Sequence, residues 1–198
     1  VGIRAGYRAG TPLRGVRQDD VMPTYIAFLR AINIGKRQFR KEAIVRACEA
    51  AGCRDIETYI NTGNVRVTTP LRSRAKVEAA LEKAFAAEAG FDVPTIVLTP
   101  AELSEVAAYA EQVGEGHSGR HYVSLLKDTP SQATVAKLDG AGSRGERAVV
   151  DGRGVHLLLG ENYHEATLDN ALVEKHLGVA TNRNLNVIRT LAEKWGGR

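Results

Sequence analysis

Three short polar segments gather the side chains of this sequence best suited to holding a charged ligand. They are Leu29-Arg30-Ala31-Ile32-Asn33-Ile34-Gly35-Lys36, Tyr59-Ile60-Asn61-Thr62-Gly63-Asn64 and Thr181-Asn182-Arg183-Asn184-Leu185-Asn186. Arginine offers a planar fork of donors, lysine a point charge, and asparagine both donors and acceptors, a combination that suits a phosphate or carboxylate. The candidate binding residues are therefore Arg30, Asn33, Gly35, Lys36, Asn61, Gly63, Asn64, Arg183 and Asn184. A structural reading covers the same residues: Asn and Gly serve left-handed turns, and Arg183 or Asn184 can cap a helix and tie two halves of the chain together. Catalytic residues stay unassigned. Asp55, Glu57 and Tyr59 are the only nearby general-base candidates, and no nucleophile stands beside a base.

Other motifs fail in their context. Gly114-Glu115-Gly116-His117-Ser118-Gly119 and Gly140-Ala141-Gly142-Ser143-Arg144-Gly145 match the dinucleotide-binding pattern in spacing alone. Each follows a helical pattern and precedes a strand-like one, the reverse of the strand-to-helix turn that offers amides to a pyrophosphate. Ser118 beside His117 lacks a nucleophile elbow. Cys48 falls on the apolar stripe of a predicted helix and reads as a buried thiol, while Cys53 and the scattered histidines give no metal-ligand spacing. Neither a metal nor a cofactor is predicted.

The elements that must position the polar segments follow from hydrophobic period and punctuation. Tyr25–Arg30 reads as a strand, Arg40–Ala51 as a helix closed by Gly52, Asp55–Ile60 and Asn64–Thr68 as a hairpin turning at Thr62-Gly63, Ser73–Ala89 as a helix closed by Gly90, and Thr95–Leu98 as a strand. This β-α-β-β-α-β order is ferredoxin-like. Thr99-Pro100-Ala101-Glu102 then opens a helix with a capping-box signature. A strand over His121–Leu126, a short helix over Gln132–Leu138, strands over Glu146–Val150 and Val155–Leu159 turning at Asp151-Gly152, and helices over Asn170–Leu177 and Arg183–Trp195 complete the chain. The expected class is α+β: a ferredoxin-like subdomain over residues 22–99, then a smaller α+β subdomain over 100–198. In the ferredoxin-like order the loop after the first strand and the hairpin after the second leave the same edge of the sheet. One strand separates them, or ~10 Å, within reach of Arg30, Lys36 and Asn61.

The same segments carry a resemblance. The chain from 24 to 195 resembles the bacterial domain of unknown function 1697 family, whose motifs usually read Leu-Arg-Gly-Ile-Asn-Val-Gly-Gly, Gln-Ser-Gly-Asn-Val and Thr-Thr-Arg-Asn-Trp-Asn-Thr. Arg30, Asn33, Gly35, Gly63, Asn64, Thr181, Arg183, Asn184 and Asn186 match. Ala31 and Lys36 replace glycines, Asn61-Thr62 replaces Gln-Ser, and Asn182, Leu185 and Val187 depart from the third motif. The resemblance implies a two-subdomain α+β fold and no established activity.

Composition sets the outer limits. With 198 residues, 43% hydrophobic and 25% charged, the chain is long and apolar enough to bury a core, and no run suits a membrane helix or a secretory signal, so the cytoplasm is expected. The net charge is 27 − 23 = +4. Half of it lies in residues 1–21, read as a flexible extension before Met22, the only methionine. The remainder is nearly balanced, which weakens the case for a polyanion partner. A ferredoxin-like sheet can stack RNA bases on aromatic side chains of its central strands, but Asn64–Thr68 has none, which argues against nucleic acid. The leading expectation is a small anionic ligand at one pole of the sheet; the alternatives are a nucleic-acid-binding or protein-interaction module and an enzyme of unassigned reaction.

Overall fold

The computed structural model describes residues 22–61, 63–138, 141–142, 145–161 and 165–197. The extension expected over 1–21, Thr62 of the hairpin turn, His164 and part of the 140–145 glycine motif lie outside the described residues.

The first half runs β1 (Thr24–Leu29), α1 (Lys41–Ala50), β2 (Arg54–Tyr59), β3 (Asn64–Thr68), α2 (Arg74–Ala89) and β4 (Thr95–Leu98). Its four strands form an antiparallel sheet in the order β2-β3-β1-β4. Alternation along β1 sorts its side chains: Tyr25, Ala27 and Leu29 pack beneath α1 and α2 with Leu81 and Phe85, while Ile26 and Phe28 face the other way. Gly90 closes α2 at φ +76°, as its position after the last apolar residue predicts.

The second half starts with α3 (Pro100–Gly114), whose Thr99 and Glu102 form the expected reciprocal capping box. Then follow β5 (Arg120–Leu126), α4 (Gln132–Val135) with a 3-10 turn at Ala136–Leu138, β6 (Arg147–Asp151), β7 (Gly154–Leu159), α5 (Asn170–Leu177), β8 (Ala180–Asn184) and α6 (Leu185–Trp195). The second sheet is also antiparallel, in the order β6-β7-β5-β8. Strand for strand it repeats the first, so the smaller second subdomain expected from the sequence is instead a full counterpart.

The correction lies in β8. The expected last helix starts at Arg183 and no strand is expected before it, yet Ala180–Asn184 pairs with β5 from Leu126↔Ala180 to Tyr122↔Asn184. The inward residues of β8 are Thr181 and Arg183, which are polar and still buried, so no apolar alternation marks the strand.

Helices α3 and α6 lie between the sheets. Leu103, Ala107, Ile188, Leu191 and Trp195 join Ile26 and Phe28 of the first sheet to Val123 and Leu125 of the second. Both faces of the central strand β1 are thus covered. No described helix is long and apolar enough to cross a membrane.

Candidate functional site

The predicted binding residues fall into two groups: those that knit the halves together and those that face open space. Arg183 belongs to the first. It is 7% exposed, and its guanidinium donates to Asn64 Oδ1 (2.7 Å), Thr181 Oγ1 (2.9 Å), and the carbonyls of Asn182 (2.7 Å), Leu29 (3.1 Å) and Gly63 (3.2 Å). Burial pushes its pKa down to about 10. Asn64, 1% exposed, also donates to the Tyr59 carbonyl at 3.1 Å. Gly63 sits at φ +75°, where a Cβ would come within 2.7 Å of Leu29 Cβ. Position 63 therefore requires glycine for both its torsion and its space.

Arg30, at the end of β1, forms a bidentate pair with Glu174 of α5 at 2.5 and 2.6 Å, and this bond raises the Arg30 pKa. Glu174 also accepts from the Ala180 amide at 3.2 Å, fastening the start of β8. Asn184 caps α6 by accepting from the Val187 amide at 2.9 Å. Arg30, Gly63, Asn64, Arg183 and Asn184 thus all have structural employment.

The remaining candidates face the α1 end of the first sheet. Topology brings the loop after β1 against the hairpin, as the strand order requires: Asn33 Nδ2 donates to the Asn61 carbonyl at 2.7 Å, while Asn33 Oδ1 accepts from the Phe39 amide at 2.9 Å. The loop needs left-handed backbone at Ala31 (φ +53°), Asn33 (+55°) and Gly35 (+56°). Gly35 and Lys36 are exposed. The gap between Asn33, Asn61, Gly63 and Asn64 closes to about 10 Å³, too small for more than a water.

On the outer side of Asn33 and Asn61 a cleft of about 440 Å³ opens, lined also by Gln38, Arg40, Lys41 and Glu42. Its wall is the start of α1. Arg40 occupies the N-cap position without a side-chain cap bond, and the first intrahelical bond is Ile44 N to Arg40 O, so the amides of residues 41–43 have no partner within the helix. Among the described residues, neither Arg40, Lys41 nor Lys36 forms an ion pair. Two cations line the cleft against one carboxylate, Glu42. Arg40 and Lys41 were not among the residues expected to bind, although the absence of Ser, Thr, Asp or Asn before this helix was readable.

Two of the three acid–base candidates are engaged elsewhere: Glu57 pairs with Arg66 at 2.6 Å and accepts from Trp195 Nε1 at 3.0 Å, and Tyr59 packs edge-on against Trp195, while Asp55 is exposed at the irregular start of β2. Cys48 and Cys53 are buried free thiols, and burial raises both pKa values. Among the described residues no three His, Cys, Asp or Glu side chains are grouped to hold a metal.

The fold is similar to that of the conserved bacterial protein SP0830 from Streptococcus pneumoniae: TM-score 0.71 at 20% identity, covering 88% of this chain and 98% of that one. No curated protein matches the sequence. Over residues 22–156, a span that holds the Arg30–Lys36 loop, the hairpin and the α1 cleft, the sequence matches the family described as Protein of unknown function (DUF1697), and the chain belongs to that family.

Proposed function

We propose that the chain binds a small anionic ligand, a nucleotide or phosphorylated metabolite, in the cleft at the start of α1. The observation that carries this reading is an uncapped helix N-terminus that opens into a cleft beside two cations with no ion-pair partner among the described residues. Unsatisfied amides and the positive end of the helix dipole favour an anion there, Arg40 and Lys41 add charge, and the Asn61 carboxamide offers further donors. Lys36 stands in the adjoining loop. Asn33 is a positioning residue that holds loop and hairpin together, and Arg30, Asn64 and Arg183 brace the same pole from within.

A thermal-shift screen of inorganic phosphate, nucleotides and sugar phosphates tests this. A ligand that raises the melting temperature of the wild type more than that of Arg40→Ala/Lys41→Ala supports the site. A shift undiminished by the double substitution, or none from any compound, refutes it.

A protein-interaction role is the second reading, favoured by two exposed side chains, Ile34 (66%) beside Asn33 and Ile60 (49%) beside Asn61 in sequence. Ile60 is held at φ +48°, a strained torsion for a β-branched side chain. Loss of self-association or partner capture in Ile34→Ser/Ile60→Ser, with phosphate binding intact, would favour it.

The strand order supports a ferredoxin-like subdomain over residues 22–99 and a counterpart over 100–198. Two buried free thiols accord with a cytoplasmic location.

A further inference from the structure

We infer that the groove between the end of α3 and the start of α6 is a second binding site, selective for an oxyanion, phosphoryl or carboxylate, and independent of the α1 cleft. The groove has a volume of about 310 Å³, and the first residues of β5 form its floor.

Repetition of the fold shows that the space is unusual. Helix α3 follows β4 as α6 follows β8, and the two pack antiparallel, with Ser104 near Gly197 at one end and Glu111 near Arg189 at the other. At the first end the chain fills the corner: Ser104 Oγ donates to the Gly197 carbonyl at 2.9 Å, and a Cβ on Gly197 would lie 3.1 Å from Ala101 N. The equivalent corner at the other end is the open groove.

Its lining is suited to negative charge. Asn184 spends its Oδ1 on capping α6 and lines the groove together with Leu185 and Asn186 of the first turn, which leaves its Nδ2 donors for a ligand. Arg120 adds a cation at the rim. Glu111 is the opposing carboxylate, but Arg189 grips it in a bidentate pair that neutralises it.

The independent sign of a ligand is His121. It lines the groove, is 8% exposed, and has Nε2 at 3.3 Å from His156 Nδ1, while its own Nδ1 has no hydrogen-bond partner. That atom faces Gly114, another groove residue, where a Cβ would stand only 3.1 Å away. Glycine at position 114 leaves the space beside the imidazole nitrogen free of a side chain. An unpaired buried nitrogen is costly, and an oxyanion accepting from Nδ1–H would satisfy it. In that tautomer His156 Nδ1–H donates to His121 Nε2 and fixes the proton on the groove side.

The test is a titration of the full chain with inorganic phosphate, and separately acetate, followed through the ring nitrogens of His121 and the Val187 amide by NMR. It is run on the wild type and on Arg40→Ala/Lys41→Ala, where the α1 cleft is disabled. Saturable shifts at both reporters, retained in the double variant and weakened at least about tenfold by Asn184→Asp, support the site. Aspartate caps a helix as well as asparagine does, so this change reverses charge at the groove without removing the cap. Gly114→Ala, which crowds Nδ1, should also suppress the response. A response to acetate as well as phosphate assigns the groove to oxyanions in general, and one to phosphate alone to phosphoryl groups. Absence of shifts up to about 20 mM, well above a millimolar Kd, or shifts unchanged in both groove variants, overturns the inference.

Discussion

Arg183 and Gly63 show how a residue type that suits a ligand can be taken up by the fold. The Arg183 fork reaches three carbonyls and two side-chain oxygens at once, a set that no lysine can match from one ammonium. Arg183→Lys should therefore lower unfolding stability by about 2–4 kcal/mol, because carbonyls and Asn64 are left buried without donors. Urea denaturation measures this, and a loss below about half a kcal/mol would show the network to be dispensable. Ala31 tests the opposite direction. It holds φ +53° where the family motif carries glycine, so Ala31→Gly relieves left-handed strain and should stabilise by about 1 kcal/mol. A destabilised Ala31→Gly would mean that the loop does not keep this torsion in solution.

The start of α1 joins stability to binding at the level of the element. Arg40 is a poor cap, and Arg40→Asp should add about 1 kcal/mol by satisfying a first-turn amide. The same change should abolish the phosphate response of the α1 amides, since it fills the cleft with a carboxylate. A gain in stability with binding retained would separate the two effects and count against the cleft. Legibility in the sequence also divides by element. Strands with buried apolar alternation, such as β1, and helices with punctuated ends, such as α2 and α3, were readable because their periods and caps are local. Strand β8 was not, because its inward positions are polar and Arg183 is satisfied by the other sheet, a partnership that sequence spacing does not carry. The pole was legible in part: the meeting of loop and hairpin follows from strand order, but pairing of Arg30 with Glu174, 144 residues away, does not. Consequently the proposed site shifts from Arg30 and Arg183 to Arg40 and Lys41.

At the scale of the molecule, the two halves are joined by a shared core and by polar ties. Arg153 of the β6–β7 turn reaches the Val97 carbonyl at 2.7 Å, Lys127 pairs with Glu82, and Arg30 pairs with Glu174. Unfolding should therefore be a single transition, not one per half. Its pH dependence has a defined source. Burial first, then neighbouring positive charge, lowers the pKa of His121 from 6.5 to about 4; burial and His121 do the same to His156. The unfolded chain takes up these protons near pH 6.5 and the folded chain only near 4, so the stability contribution is intact above about 6.5 and is lost as pH falls toward 4. The loss should reach a few kcal/mol and shrink in His121→Gln/His156→Gln, as urea titrations across this range will show. The central claim concerns the α1 cleft, and its most direct test is a phosphate titration read at the backbone amides of Glu42 and Ala43. Saturable shifts there, abolished by Arg40→Ala/Lys41→Ala while the fold is preserved, are the predicted result; silent amides at saturating phosphate, or shifts indifferent to that substitution, would contradict it.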